Sequence, residues 1–124
     1  METTKLNTVA YDLEGRVYRL SCNMNVLADV QDEYDGNLLR ALNTVHGLKS
    51  TLAFLAAMLT DAADTQGITD EIGLTLRFTS KQLGRKLTMH QTREAGTRSY
   101  PLIQAAVTPP EDELGEKTSE DEKN

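Results

Sequence analysis

Residues 44–64 form the strongest helical pattern in the chain, and they decide how the rest of it can pack. Apolar residues recur there at the helical period, and two more widen the apolar stripe until it nearly surrounds the helix: Leu48, Leu52, Leu55, Ala56 and Leu59, then Phe54 and Met58. A helix with so little polar surface lies at the centre of a domain or faces a partner. The sequence therefore predicts a domain built around this helix, or a helix that another protein covers.

Residues 7–22 have the pattern of a β-hairpin. Strand-forming residues flank Glu14-Gly15, where glycine supplies the positive φ that a two-residue turn needs. A turn at this place sets the cross-strand pairs, which are Leu13 with Arg16, Tyr11 with Tyr18 and Val9 with Leu20. This register puts Val9, Tyr11, Tyr18 and Leu20 on one face. Because an isolated hairpin is marginally stable in water, we expect that face to pack on the helices.

Capping asparagines predict the starts of two helices after the hairpin. Asn23 or Asn25 begins the first, which ends at residues 35–36, and Asn37 begins a short second helix. The inner faces that the helical period predicts are Met24, Leu27, Ala28, Gln31 and Tyr34 in the first helix, and Leu38, Leu39 and Leu42 in the second.

The segment beyond the central helix gives a mixed pattern. Residues 68–78 fit both a helix and a strand. Thr79 and Gln82 have the capping-box spacing, which predicts a helix that buries Leu83. Residues 88–97 are polar, with a break expected at Gly96, and we expect the last helix to begin at residues 99–101, because a proline is tolerated in a first turn.

These elements predict one α+β domain over residues 1–108, mostly α-helical, with the hairpin at 7–22 and helices from about 24 to 107. Residues 109–124 differ in composition: they begin with two prolines, carry seven acids and contain Leu114 as their one large apolar residue. Such a segment cannot bury enough apolar surface to offset the entropy lost on ordering. We therefore predict a disordered acidic C-terminal tail.

The longest apolar stretch, Leu52–Leu59, is eight residues, far short of the roughly 18 that a membrane span needs. The first residues also lack the basic start and apolar core of a signal peptide, so we expect the protein to stay in the compartment where it is made. The single cysteine, Cys22, cannot form an intrachain disulfide, and we interpret it as a small apolar core residue.

The sequence shows no pattern typical of an enzyme or a metal site. His46 and His90 lie in different predicted elements without a ligand-type spacing. Asp61 and Asp64 lie one helical turn apart, a spacing common on solvated helix faces. We therefore predict no catalytic residues, no metal and no cofactor.

Charge is unevenly distributed along the chain. The net charge is −6, yet residues 73–110 carry six bases and a single acid. Arg77, Lys81, Arg85 and Lys86 within this segment predict a basic docking face. Such a face suits nucleic acid, an acidic partner or the chain's own acidic tail. The adjacent tail and the low aromatic content, 5%, favour a protein over nucleic acid.

The order of several short motifs resembles a known family. Residues 5–20 follow a K-L-N…Y-x-L…Y-x-L hairpin pattern, and residues 24–38 contain an x-N-x-L…G-N-L pattern. An alanine-rich helix comes next, at 52–63, and residues 78–87 follow a T-x-x-x-L-G pattern. The whole, over about residues 5–107, is similar to the small tail assembly chaperones encoded by long-tailed bacteriophages and by related prophages and gene-transfer agents.

The resemblance implies a non-enzymatic protein that binds the long, helical tape measure protein. It implies action in the host cytoplasm, where such chaperones keep the tape measure protein in solution and help tail tube subunits polymerise around it, and absence from the mature virion. Contacts with the tail tube protein, self-association and a longer form made by ribosomal frameshifting are open within this family.

The client face that we predict from this resemblance is the apolar surface of the central helix. Its residues are Leu48, Leu52, Phe54, Leu55, Met58 and Leu59. The alternative is that these side chains pack in the hydrophobic core of one monomer. A rival function is that of a small phage regulatory protein that binds nucleic acid through residues 77–98.

Overall fold

Two strands and five helices make up residues 7–109, the part of the chain that the computed structural model describes. They are β1 (Val9–Leu13), β2 (Arg16–Leu20), α1 (Met24–Glu33), α2 (Leu38–Asn43), α3 (Leu48–Gln66), α4 (Ser80–Lys86) and α5 (Met89–Val107). The predicted α+β class, mostly helical with an N-terminal hairpin, is confirmed. The acidic tail predicted at 109–124 lies, after Pro109, outside the described residues.

The hairpin has the predicted register. Tyr11 pairs with Tyr18, and Leu13 pairs with Arg16 next to the turn. Glu14 and Gly15 both have positive φ, 54° and 85°, as the type I′ turn requires, so the twist of the turn matches that of the strands. The side chains of Leu13, Tyr18 and Leu20 are buried, which confirms that this face of the hairpin packs inward.

The second strand of the hairpin, β2, contacts two other parts of the fold. The Gln66 side chain at the end of α3 accepts a hydrogen bond from the Arg19 backbone N–H at 2.7 Å and donates one to the Val17 carbonyl at 3.3 Å. The rings of Tyr18 and Phe78 meet edge to face, with centroids 5.5 Å apart. These contacts fix a two-stranded sheet that would be marginal alone.

The first helix is capped as predicted, but its inner face is different. The Asn23 side chain accepts from the Val26 N–H at 3.0 Å and donates to Asp61 on α3 at 2.8 Å. That second bond fixes the rotation of α1, so that Val26 and Val30 are buried and Met24 is exposed. The face predicted from Met24, Ala28 and Gln31 is therefore wrong. Of that predicted set, Leu27 and Tyr34 do point inward.

The third helix is the centre of the fold. It contacts α1, α4, α5 and β2, and a run of its side chains from Ala53 to Leu59 is buried. At its N-terminal end the Ser50 hydroxyl donates to the Ala41 carbonyl at 3.0 Å and lies 2.6 Å from the Tyr34 hydroxyl. This buried polar contact joins α1, α2 and α3.

Residues 68–78 form neither a helix nor a strand. Gly67 ends α3 in the left-handed region, φ 71°, and a bridge between Thr69 and Thr75 closes the base of a loop. The Asp70 carboxylate accepts from the backbone N–H groups of Ile72 and Leu74 at 3.0 and 2.9 Å. The Asp70 side chain thus holds in a loop the apolar residues whose spacing suggested a helix or a strand.

The last helix is longer than predicted. It runs from Met89 to Val107 without a break, and begins at a capping box formed by Thr88 and Gln91, which the sequence interpretation missed. The break expected at Gly96 is wrong, because a glycine is needed there for packing: a Cβ at that position would lie 3.2 Å from Thr51 Cγ2. The start expected at residues 99–101 is wrong as well, since Pro101 lies inside the helix.

Candidate partner-binding surface

The predicted client face is largely part of the core. Phe54, Leu55, Met58 and Leu59 are at most 1% exposed, because α1, α4, α5 and β2 surround α3. Leu52 is half-buried and packs against the same core. This placement corrects the expectation that these residues form an exposed surface.

Leu48 is the predicted residue that remains open, at 49% exposure. It lies at the first turn of α3, and Met89, 54% exposed, lies at the first turn of α5. Both line a groove of about 520 Å³ between the two helices. Met89 was not predicted as a groove residue, because its position depends on the N-terminal half of α5, which the sequence pattern did not indicate.

The shape of this groove follows from the close approach of α5 to α3. A Cβ at Gly96 would lie 3.2 Å from Thr51 Cγ2, so the missing side chain lets α5 approach α3 closely beside the groove. Tyr100 lies against His46, with ring centroids 4.7 Å apart and tilted by 44°. These rings close the groove on the side of the α2–α3 connection.

The charge around the groove differs from that of three other clefts. None of its lining residues is acidic, and it includes Arg93 and His46. The other clefts contain acids at their rims, which are Asp12, Glu14 and Glu94 in one, Asp29, Asp32 and Glu33 in another, and Asp70 and Glu71 in the third. In a chain of net charge −6, the groove is thus a surface that an apolar segment with acidic flanks fits.

The residues of the predicted basic docking face do not share one uninterrupted surface. Arg77 and Lys81 line the cleft that holds Asp29, Asp32 and Glu33.

Farther along α4, Lys86 forms a salt bridge with Glu14, with a nitrogen–oxygen distance of 3.2 Å, and Arg85 is exposed. The Arg98 guanidinium donates to the Ala10 carbonyl at 2.6 Å. Acids are therefore interleaved with the bases, which lowers the positive potential that nucleic-acid phosphates need.

A second apolar feature lies on the loop after α3. Ile72 and Leu74 are 79% and 62% exposed, and the Asp70 hydrogen bonds hold the loop that carries them. Exposed apolar side chains on an ordered loop are a common property of interaction surfaces. Sequence patterning did not indicate this feature, because residues 68–78 fit both a helix and a strand and neither reading predicts an exposed loop.

Groups that could carry chemistry are sequestered or scattered. Burial raises the pKa of the Cys22 thiol to about 12, so the thiolate needed for nucleophilic attack is scarce near neutral pH. Asp61 accepts the hydrogen bond from Asn23 described above. Within residues 7–109, no three His, Cys, Asp or Glu side chains are grouped as a metal site would require.

Among the helices of residues 7–109, none combines the length and hydropathy needed to cross a bilayer. A comparison of the chain with known protein families, with curated proteins and with solved structures finds no match.

Proposed function

We propose that this protein is a non-enzymatic tail assembly chaperone of a long-tailed bacteriophage. In this proposal it binds the tape measure protein in the host cytoplasm, keeps it in solution, helps tail tube subunits polymerise around it, and is absent from the mature virion. The observation that carries the proposal is the groove between α3 and α5, where Leu48 and Met89 are open to solvent and no lining residue is acidic. The order of sequence motifs supports the same function.

The groove fits one face of an amphipathic helix better than it fits a small molecule. Its apolar side chains belong to two neighbouring helices, an arrangement that accepts apolar anchors spaced by one or two helical turns. A long helical protein exposes many such anchors until its assembly partner encloses them. The client site is therefore assigned to this groove, instead of the buried surface of α3.

A shallow groove also suits a chaperone that has to be released. Two half-exposed anchors bury little area, so each contact is weak and reversible, and capture of a long client depends on several copies acting together. The exposed loop with Ile72 and Leu74 offers additional apolar contact outside the groove.

The test is co-expression with the tape measure protein of the same phage, followed by co-purification. Leu48→Gln combined with Met89→Gln removes both apolar anchors without adding charge, and we expect at least a tenfold loss of captured client. Val17→Gln is the matched control, because Val17 is 51% exposed on the hairpin and lies outside the groove. Its capture should equal that of the unmodified protein.

Circular dichroism of each variant checks that the helices remain. The proposal is contradicted if the double variant keeps its helical signal and still captures the client in full. Capture that falls equally in the Val17 control would assign the client surface to apolar exposure in general and would overturn the assignment to the groove.

A further inference from the structure

The loop after α3 presents apolar and acidic side chains to solvent in a fixed conformation. Ile72 and Leu74 are 79% and 62% exposed, and the adjoining Asp70 and Glu71 are exposed as well. Besides the two hydrogen bonds that the Asp70 carboxylate accepts, the Asp70 backbone N–H donates to the Leu74 carbonyl at 2.7 Å. The loop is therefore ordered before any contact is made, which lowers the conformational entropy that binding costs.

The groove between α3 and α5 has the complementary properties. Leu48 and Met89 are open apolar side chains in its lining, Arg93 is an exposed base in the same lining, and none of the lining residues is acidic. The apolar side chains and carboxylates of the loop thus match apolar side chains and a guanidinium of the groove. The three other clefts described above contain bases too, but each also contains acids. The charge that attracts the loop is therefore least compensated in the groove.

Hydrogen bonds hold the loop away from the groove of its own chain. The loop leaves α3 at Gly67, and at its other end the Phe78 backbone N–H donates to Thr60 Oγ1 at 2.9 Å. Thr60 follows Leu48 by twelve helical residues, which is about 18 Å along α3. The residues that line the groove and those that surround Ile72 have no member in common. The groove can therefore receive this loop only from another copy of the chain.

We propose that this loop docks in the groove of a second copy of the chain. Its two apolar side chains then cover Leu48 and Met89, and the Glu71 carboxylate faces the Arg93 guanidinium. Because the loop and the groove are different surfaces, each copy offers its loop to one neighbour and its groove to another, so the association is head to tail. A client helix that enters the groove has to displace the loop, so self-association and client capture compete.

The contact is weak, because two apolar anchors bury far less than the roughly 1,200 Å² of a stable interface. We expect a dissociation constant of about 0.1–1 mM. The protein is then monomeric when dilute and associates as it is concentrated. The net charge of −6 opposes contact between copies in general, which confines the association to surfaces of complementary charge.

The test is the concentration dependence of the full chain, followed by analytical ultracentrifugation and by methyl NMR. Between about 20 μM and about 1 mM, a range that brackets the expected dissociation constant, the weight-average mass should rise. The methyl signals of Leu48, Met89 and Ile72 should shift with it. The methyl signal of Met24, which is exposed on α1 outside the groove, should stay in place.

Two double variants remove one surface each. Ile72→Gln with Leu74→Gln removes the apolar part of the loop, and Leu48→Gln with Met89→Gln removes that of the groove. Each variant alone should associate at least tenfold more weakly, and circular dichroism checks that its helices remain. An equimolar mixture should regain association and stop at pairs, because the loop of the groove variant meets the groove of the loop variant. Contacts between two loops or between two grooves would instead persist in one of the variants alone.

Charge variants test the same contact without removing an apolar side chain. Arg93→Glu sets two carboxylates against each other, and we expect it to weaken association about tenfold. Arg85→Glu changes the net charge by the same amount on the exposed surface of α4, outside the groove, and should have little effect. Adding Glu71→Arg to Arg93→Glu exchanges the two charges and should restore association.

The proposal is overturned if the groove signals do not change with concentration, if either double variant associates as strongly as the unmodified chain, or if the mixture stays monomeric. Equal weakening by Arg93→Glu and Arg85→Glu would also overturn it, because net charge would then control association in place of the groove contact. No client is present in these measurements, so their outcome is independent of the proposed function.

Discussion

At the scale of single residues, buried polar groups decide how tightly this small core is specified. Every buried side-chain nitrogen and oxygen within residues 7–109 has a hydrogen-bond partner. Ser50 is the most connected of them, since its hydroxyl contacts Tyr34, Thr44 and the Ala41 carbonyl within 3.0 Å. Removal of a central partner leaves other buried groups unsatisfied, which costs more than the loss of one exposed bond.

We therefore predict that Ser50→Ala lowers the free energy of unfolding by about 1–3 kcal/mol, because the Tyr34 hydroxyl and the Ala41 carbonyl lose their partner. Urea unfolding monitored by circular dichroism measures the change. Ser80→Ala, which removes an exposed hydrogen bond to Glu33, should change stability by less than about 0.5 kcal/mol. Equal effects of the two substitutions would contradict this interpretation.

Cys22 makes stability depend on alkaline pH. Its thiol has an ordinary pKa of 9.0, and burial raises the pKa to about 12 in the folded protein. Between these values the unfolded chain releases a proton that the folded chain retains, so stability present below pH 9 is lost as the pH rises toward 12. We predict a lower urea midpoint at pH 10.5 than at pH 8.

Cys22→Ala should show a smaller difference between these two pH values. Tyr11 contributes in the same direction, because burial and the nearby Glu94 carboxylate raise the pKa of its phenol. Tyr11→Phe should therefore also reduce the difference. A fall of unchanged size in both variants would assign the alkaline effect to other groups.

At the scale of secondary structure, helix caps and the hairpin turn could be predicted from the sequence. Features that depend on contacts between elements could not. The hairpin register, the Asn23 and Asn37 caps and the Thr79–Gln82 capping box all follow from local residue types, and the structure confirms each. Local residue types also suggested a break at Gly96, where the lack of a side chain instead serves a helix contact. A pattern of single residues does not contain that contact.

The candidate surface was harder to predict than the fold, for a physical reason. Apolar periodicity identifies residues that avoid water, but the same property suits a core and a docking face. Which of the two applies to α3 depends on how many elements cover it, and here four do. Leu48 is exposed because it lies at the first turn of α3, where the four surrounding elements do not cover it.

Pro101 lies inside α5 and destabilises this helix locally. A proline inside a helix removes the hydrogen bond to the carbonyl four residues earlier, at Thr97, and destabilises the helix by about 3 kcal/mol relative to alanine. Leu102 and Ile103, both buried, offset this cost through packing. Pro101→Ala should therefore raise the melting temperature, and Pro101→Gly should raise it less, because glycine costs about 1 kcal/mol in a helix.

Differential scanning calorimetry of the three proteins checks this order. Restoration of the backbone N–H explains the gain only if both variants exceed the parent. A parent that melts at the highest temperature would instead show that the proline ring contributes packing that exceeds its helical cost.

At the scale of the whole molecule, the fold places acidic side chains beside basic ones. Residues 77–98 carry an excess of bases in the sequence, but acidic side chains of α1, the hairpin and α5 lie beside those bases in the fold. Interleaved charges of both signs reduce the release of counterions that drives binding to phosphates.

We accordingly predict no retardation of duplex DNA, single-stranded DNA or RNA by the protein in a gel at 150 mM salt. A variant that removes the interleaved acids, Asp29→Asn with Asp32→Asn and Glu33→Gln, should gain weak binding that disappears as salt is raised. Retardation by the unmodified protein, lost in an Arg77→Gln and Lys81→Gln variant, would favour the regulatory protein over the chaperone.

The length of α3 has a consequence for any molecule that touches both ends of this protein. Nineteen residues make a rod of about 28 Å, with the groove beside its first turn and the Ile72 loop beyond its last. A bound rod-like helix in contact with both would have to extend for at least five turns. A short peptide can therefore contact the groove or the loop with Ile72, but not both. The affinity of a ligand that contacts both can be measured only with a helix about as long as α3.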